Sequence, residues 1–161
     1  MIVADFAGDA ELRDLYRELI LDHSKHPRHF GKLAGATHSA EGINPLCGDK
    51  LKLYLRLDQD DTIQDASFEG SGCAISVASA SLLTDTVIGL SVAAAGDYFS
   101  ALTTRLTASA NRATGPQRLD LSKLKALDGV REFPARVKCA TLAWHALDSA
   151  MRRQSTPVST E

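Results

Sequence analysis

Apolar and polar positions along this chain recur with two different periods, and each change of period marks a new element. In "DAELRDLYRELILDHSKH", from Asp9, the apolar residues Leu12, Leu15, Tyr16, Leu19 and Ile20 fall at the three- and four-residue spacing of one helix face. Asp9 is placed to cap that helix and Pro27 to end it. "FGKLAGATHSAEGINPLCGD" is punctuated by glycine and predicts at most one weak strand, near residues 37 to 42. The period then drops to two. Leu51, Leu53, Leu55 and Leu57 alternate with Lys50, Lys52, Tyr54 and Arg56, the pattern of a half-buried strand. A turn at "DDT" and a second strand in "IQDASFEG" predict an antiparallel pair, and the break "GSG" leads into "CAISVASASLLTDTVIGL". That segment is small and apolar on every side and predicts a buried helix.

Ser91 is placed to cap a further helix reaching about Ala108. "SANRATGPQRLDLSKLKALDGVREFP" is polar and broken, with one short helical turn in "LSKLKAL". The last helix runs through "KCATLAWHALDSAMRR", with Trp144 expected in the core and His145 exposed. The elements add up to an α+β fold: a small, mostly antiparallel three-stranded sheet with helices on one face. One domain over residues 1–153 is expected, followed by a disordered tail at 154–161.

Composition narrows the classes of function. With 161 residues, 44% of them hydrophobic, the chain is long enough for one ordinary core. A net charge of -2 gives no basic footprint for nucleic acid. No stretch approaches the roughly 20 apolar residues of a membrane span. The opening "MIVADFAGDAE" is acidic and lacks the features of a secretion signal, so a cytoplasmic location is expected. Thiols are kept reduced there, and three cysteines, Cys47, Cys73 and Cys139, cannot all pair within one chain.

Each thiol has a distinctive setting. Cys47 precedes a strand, and Cys73 and Cys139 stand near predicted helix starts, where free amides favour thiolate over thiol. Cys47 and Asp49, two positions apart in extended chain, can face one point. Three thiols and a carboxylate are four ligands of the kinds zinc accepts. A free cysteine is also commonly just a small buried hydrophobe, and no CxxC pair is present. His23, His26 and His29 recur every three residues, but Pro27 breaks the helix there, and with Lys25, Arg28 and Lys32 they read as a solvated basic surface. Arg136, three residues before Cys139, is a candidate for binding a carboxylate or a surface ion pair.

Four motifs in order settle the comparison. "LYRELILDHSKHPRHFG" at 15 to 31, "NPLCGD" at 44 to 49, "FEGSGCAISVASASLLTD" at 68 to 85 and "FPARVKCATLAWHAL" at 133 to 147 resemble the IscU/NifU superfamily of iron-sulfur cluster assembly proteins, most closely its SufU-type branch. The resemblance implies metal ligands at Cys47, Asp49, Cys73 and Cys139. The cluster-scaffold branch carries His immediately before its last Cys, where this chain has Lys138, whose ammonium offers only donors. The polar connection at about 109 to 130 also looks like that of the SufU branch. The resemblance therefore implies a Zn2+-dependent sulfurtransferase that accepts persulfide sulfur from a SufS-type cysteine desulfurase, with Cys47 as the acceptor and Cys139 as runner-up. A SufBCD-type assembly complex is the further partner it implies. The alternative is an IscU-like scaffold on which a [2Fe-2S] cluster is assembled.

Overall fold

The structure, a computed structural model, describes residues 2–107, 121–153 and 157–159, with the backbone alone for 2–13 and 122. Helix α1 runs Ile2–Lys25, strand β1 His38–Asn44, β2 Asp49–Leu57 and β3 Ile63–Ser71. Helices α2 (Ala74–Val87) and α3 (Val92–Thr107) follow, then a 3-10 segment at Ser122–Glu132, helix α4 (Pro134–Met151) and strand β4 (Val158–Ser159). Most of the polar connection expected at 109 to 130 lies outside the described residues.

The alternation in β2 becomes the organising surface of the molecule. Leu51, Leu53 and Leu55 turn one way and are buried, joined by Ala66 and Phe68 from β3 and Ala40 from β1. Helix α4 packs on β1 and β2, and α2 on β3, so the apolar face of the sheet is covered. The opposite face carries Lys50, Lys52 and Arg56, with Glu41 and Glu69 across from Lys52, and Asp65 across from Arg56. Lys52 and Tyr54 also interact there, the ammonium standing 5.3 Å from the ring centre. The smallness of α2 has a packing reason. Its Ser79 hydroxyl donates to the Ala140 carbonyl at 2.5 Å and accepts from the Trp144 indole at 3.2 Å, tying α2 to α4 at close range. Ser91 caps α3 as expected, its oxygen accepting from the Ala94 amide at 3.1 Å.

Several expectations need correction. The sheet has four strands in the order β3-β2-β1-β4, because Val158 and Ser159 pair parallel with Gly42 and Ile43. Two residues are too few to leave a periodic signal. Helix α1 begins at Ile2, so Asp9 lies inside it rather than at its start. It ends at Lys25 because the proline at 27 disfavours helical geometry in the residue before it. Helix α4 starts at Pro134, four residues before the expected start, with proline at the helix opening, where its missing N–H costs nothing. His145 is half-buried, edge-on to Phe99 at 5.3 Å, and burial lowers its pKa. His23 is not solvated at all. It is fully buried, with Nδ1 2.7 Å from the Ser81 hydroxyl, while His26 stays exposed.

Candidate metal centre

The hairpin of β1 and β2 closes with Asn44 opposite Asp49, and the four residues between them form a turn in which the Cys47 amide donates to the Asn44 carbonyl at 3.2 Å. Gly48 takes a φ of +71° there, a conformation that a side chain resists. Pro45, Leu46 and Gly48 are exposed and Cys47 is half-buried, whereas Asp49 falls in phase with Leu51 and Leu53 and points into the interior.

A carboxylate in that position must be held. Its Oδ1 accepts the backbone N–H of Cys73 at 2.8 Å, at the residue that opens α2. A Cβ on Gly72 would come within 2.6 Å of the same oxygen, so the glycine makes room for the carboxylate. Asp49 Oδ2 is buried without a partner among the described residues. A buried carboxylate oxygen left empty is costly, and such a vacancy is filled by a cation or a donor.

Cys139 reaches the same point from α4. It lies well over a turn inside the helix and is fully buried, so the terminal amides expected to favour its thiolate are too far away. Burial first, then hydrogen bonding with Asp49, Cys47 and Cys73, pushes its thiol well above the ordinary value. The Asn44 side-chain N–H donates to its sulfur at 3.7 Å, and the sulfur lies 3.7 Å from the Ala135 carbonyl.

Ligand atoms of Cys47, Asp49 and Cys139 all lie within 4.8 Å of one another. Tetrahedral zinc, with bonds of about 2.0–2.3 Å, spaces its ligand atoms about 3.3–3.8 Å apart, so the three are near the required distances. Cys73 stands outside that group, half-buried at the start of α2, yet close enough to raise the Cys139 thiol. Two thiols at the group, a third beside it and a carboxylate with an unpaired buried oxygen form a donor set that fits zinc. Arg136 is exposed, and the charge of Cys73, then of Cys139, raises its pKa, so its guanidinium faces the thiols. Lys138, at the position where a ligating His would stand in a scaffold-type protein, is half-buried.

Two contributors escaped the sequence reading. Gly72 reads in the sequence only as part of the "GSG" break beside Cys73, and its specific role depends on where a side chain 23 positions away points. Asn44 left a signal that was readable: it shares inward parity with Ala40 and Gly42, so a polar side chain there has to be buried.

The NifU-like N terminal domain family matches residues 15–140, which includes every element from the body of α1 to the first turns of α4. A Streptococcus pyogenes serotype M1 protein named iron-sulfur cluster assembly scaffold protein IscU is 40% identical over 149 residues, 91% of this chain and 88% of its own. The zinc-dependent sulfurtransferase SufU of Bacillus subtilis (strain 168) is 38% identical over 146 residues, covering 91% and 95%. Among solved structures, one from Fervidobacterium islandicum AW-1, described as an iron-sulfur cluster assembly scaffold protein for the SUF system, superposes with a TM-score of 0.68 at 33% identity, over 83% of this chain and 94% of that one. With the family spanning most of its length and its fold shared with these relatives, the chain belongs to the NifU-like N-terminal domain family, among proteins named IscU and SufU.

Proposed function

We propose that this protein serves iron-sulfur cluster assembly as a zinc-dependent sulfurtransferase, taking persulfide sulfur from a SufS-type cysteine desulfurase. Cys47, Asp49, Cys73 and Cys139 would hold the metal. The observation that carries the reading is the asymmetry of the four: Asp49 and Cys139 are buried, Cys73 is half-buried with its amide tied to Asp49, and Cys47 is half-buried on a hairpin turn between exposed residues. A donor enzyme can reach that thiol with least displacement of the rest. Lys138 adds support, since an ammonium gives a cluster no ligand, and so does the name of the Bacillus relative.

Bound zinc would supply the Lewis acidity that keeps the thiols deprotonated near neutral pH. The remaining work belongs to the chain. The Cys47 thiolate attacks the outer sulfur of the donor persulfide, one S–S bond forms at Cys47 as the donor's S–S bond breaks, and the donor cysteine leaves as a thiolate. Arg136, beside the thiols, offers a positive charge to the incoming anionic sulfur.

The names of the streptococcal and Thermotoga maritima relatives favour a second reading, a scaffold that holds a [2Fe-2S] cluster. Protein purified without oxygen separates the two. A colourless preparation with about one zinc per chain, which gains one sulfur on Cys47 when given desulfurase and cysteine, is expected. Brown protein carrying iron and acid-labile sulfide would favour the scaffold.

A further inference from the structure

Asn44 is an anomaly in the core-facing row of β1. Ala40 and Gly42 precede it at the same parity, and α4 covers that row, with a Cβ on Gly42 coming within 3.0 Å of Leu142. At the end of this apolar row stands a primary amide with no exposed surface. Its Oδ1 has no partner among the described residues, and its Nδ2 has one, the sulfur of Cys139. A side chain of similar size without polar atoms would fill the space with nothing left unsatisfied. Asn44 also closes the turn that carries Cys47, its backbone carbonyl accepting the Cys47 N–H. One residue therefore touches both candidate acceptors, Cys47 by main chain and Cys139 by side chain.

We infer that Asn44 is a positioning residue that decides which thiol receives sulfur, by holding the Cys139 sulfur in an N–H···S hydrogen bond. The inference rests on the proposed sulfurtransferase role. A hydrogen bond donated to a thiolate draws charge from its lone pair, which makes that sulfur a poorer nucleophile and a steadier ligand. The sulfur of Cys47 has the Cys139 thiol beside it, but no hydrogen bond to it from a side-chain amide is seen among the described residues, and its turn adds a backbone link. The two thiols are thereby made unequal by a neighbour as well as by exposure. A donor persulfide meets one sulfur on an exposed turn and one that is buried and held by an amide.

Two measurements test this. In wild-type protein loaded with cadmium-113, the Asn44 side-chain protons are expected to show scalar coupling to the metal across the N–H···S bond. No coupling to those protons would overturn the inference without touching the sulfurtransferase reading. The second uses zinc-loaded wild type and Asn44→Leu, given a cysteine desulfurase and cysteine and then mapped by peptide mass spectrometry. Wild type is expected to carry the extra sulfur on Cys47 alone. Asn44→Leu is expected to place part of it on Cys139 and to lose about 10-fold in zinc affinity. Sulfur confined to Cys47 in both proteins, at equal zinc affinity, would refute the role given to Asn44 while leaving the function standing. Sulfur on neither thiol of wild type would remove the function itself, and the choice of acceptor with it. Should Asn44→Leu fail to fold, Asn44→Ala, which also lacks the donor, replaces it, and the cadmium measurement needs no variant.

Discussion

Gly72 lacks a side chain where Asp49 needs space, and this makes it a sensitive probe of the site. In Gly72→Ala the new methyl group would collide with Asp49 Oδ1, an oxygen that also holds the Cys73 amide. The carboxylate must swing away, and the expected result is a loss of about 10- to 100-fold in zinc affinity, measured by competition with a chromophoric chelator. Thermal stability of the metal-free protein should fall far less. Cys47→Ser separates chemistry from binding differently. It is expected to abolish stimulation of a partner desulfurase while the two proteins still associate in a pull-down, because the Cys47 thiol lies on the exposed hairpin turn. The pairing of Cys47 with Asp49 was readable in the sequence, from a thiol and a carboxylate two positions apart beside glycine, while the full set of four was implied only by the family resemblance. What remained hidden was mostly distance in space. Nothing local to "GSGC" says that its second glycine faces a carboxylate arriving from β2.

Between elements, the most consequential polar contact is the clasp of α1 and its following loop onto α2. Ser81 accepts the Arg28 backbone N–H at 2.8 Å, and its own hydroxyl is then free to donate to neutral His23 Nδ1 at 2.7 Å. Burial first, then the charge of Arg28, lowers the His23 pKa, against the weaker pull of Asp85 and Asp22, with Lys123 adding least. A histidine whose folded value lies below the unfolded 6.5 adds stability that is complete above about pH 6.5 and drains away as pH falls through that value toward the folded one. His38 and His145, also lowered, act in the same direction. Urea midpoints are therefore expected to fall between pH 7.5 and pH 5, and His23→Asn should flatten part of that slope. Ser79→Ala, which strands the Trp144 indole N–H, is expected to cost about 1–3 kcal/mol in the same assay at pH 7.5. The long-period and alternating elements α2, β2 and β3 were legible because every residue in them repeats one message. The extension of α4 back to Pro134 was not, since "PARV" is exposed or half-buried and carries no apolar stripe. His23 was misread in favour of its charge. Its place after Tyr16, Leu19 and Ile20 continues the buried face of α1, and that periodicity is the better guide.

At the scale of the whole molecule, metal and fold are expected to be linked. Zinc at a thousandfold over its dissociation constant adds about 4 kcal/mol to a state that alone binds it, and for a chain of this size that is a rise of about 8–16 °C in Tm. Calorimetry before and after chelation checks it, and a Tm unmoved by removal of the metal would detach the site from the fold. Among the described residues no helix is long and apolar enough to cross a membrane. Two points on the β3 edge are taken up by loops of the same chain, with Gly31 donating to Phe68 and Ile63 to Leu90. The hairpin that carries Cys47 and Asp49 and the helix that carries Cys139 are also far apart in time. At about 5–20 residues per second, a ribosome needs on the order of 10 s to get from one to the other. Until α4 emerges, the nascent chain presents two thiols, Cys47 and Cys73, and the Asp49 carboxylate without the fourth group. A chain that stalls before residue 139 lacks the buried thiol that α4 contributes, so a centre built on all four residues is expected to close only once the last helix has been made.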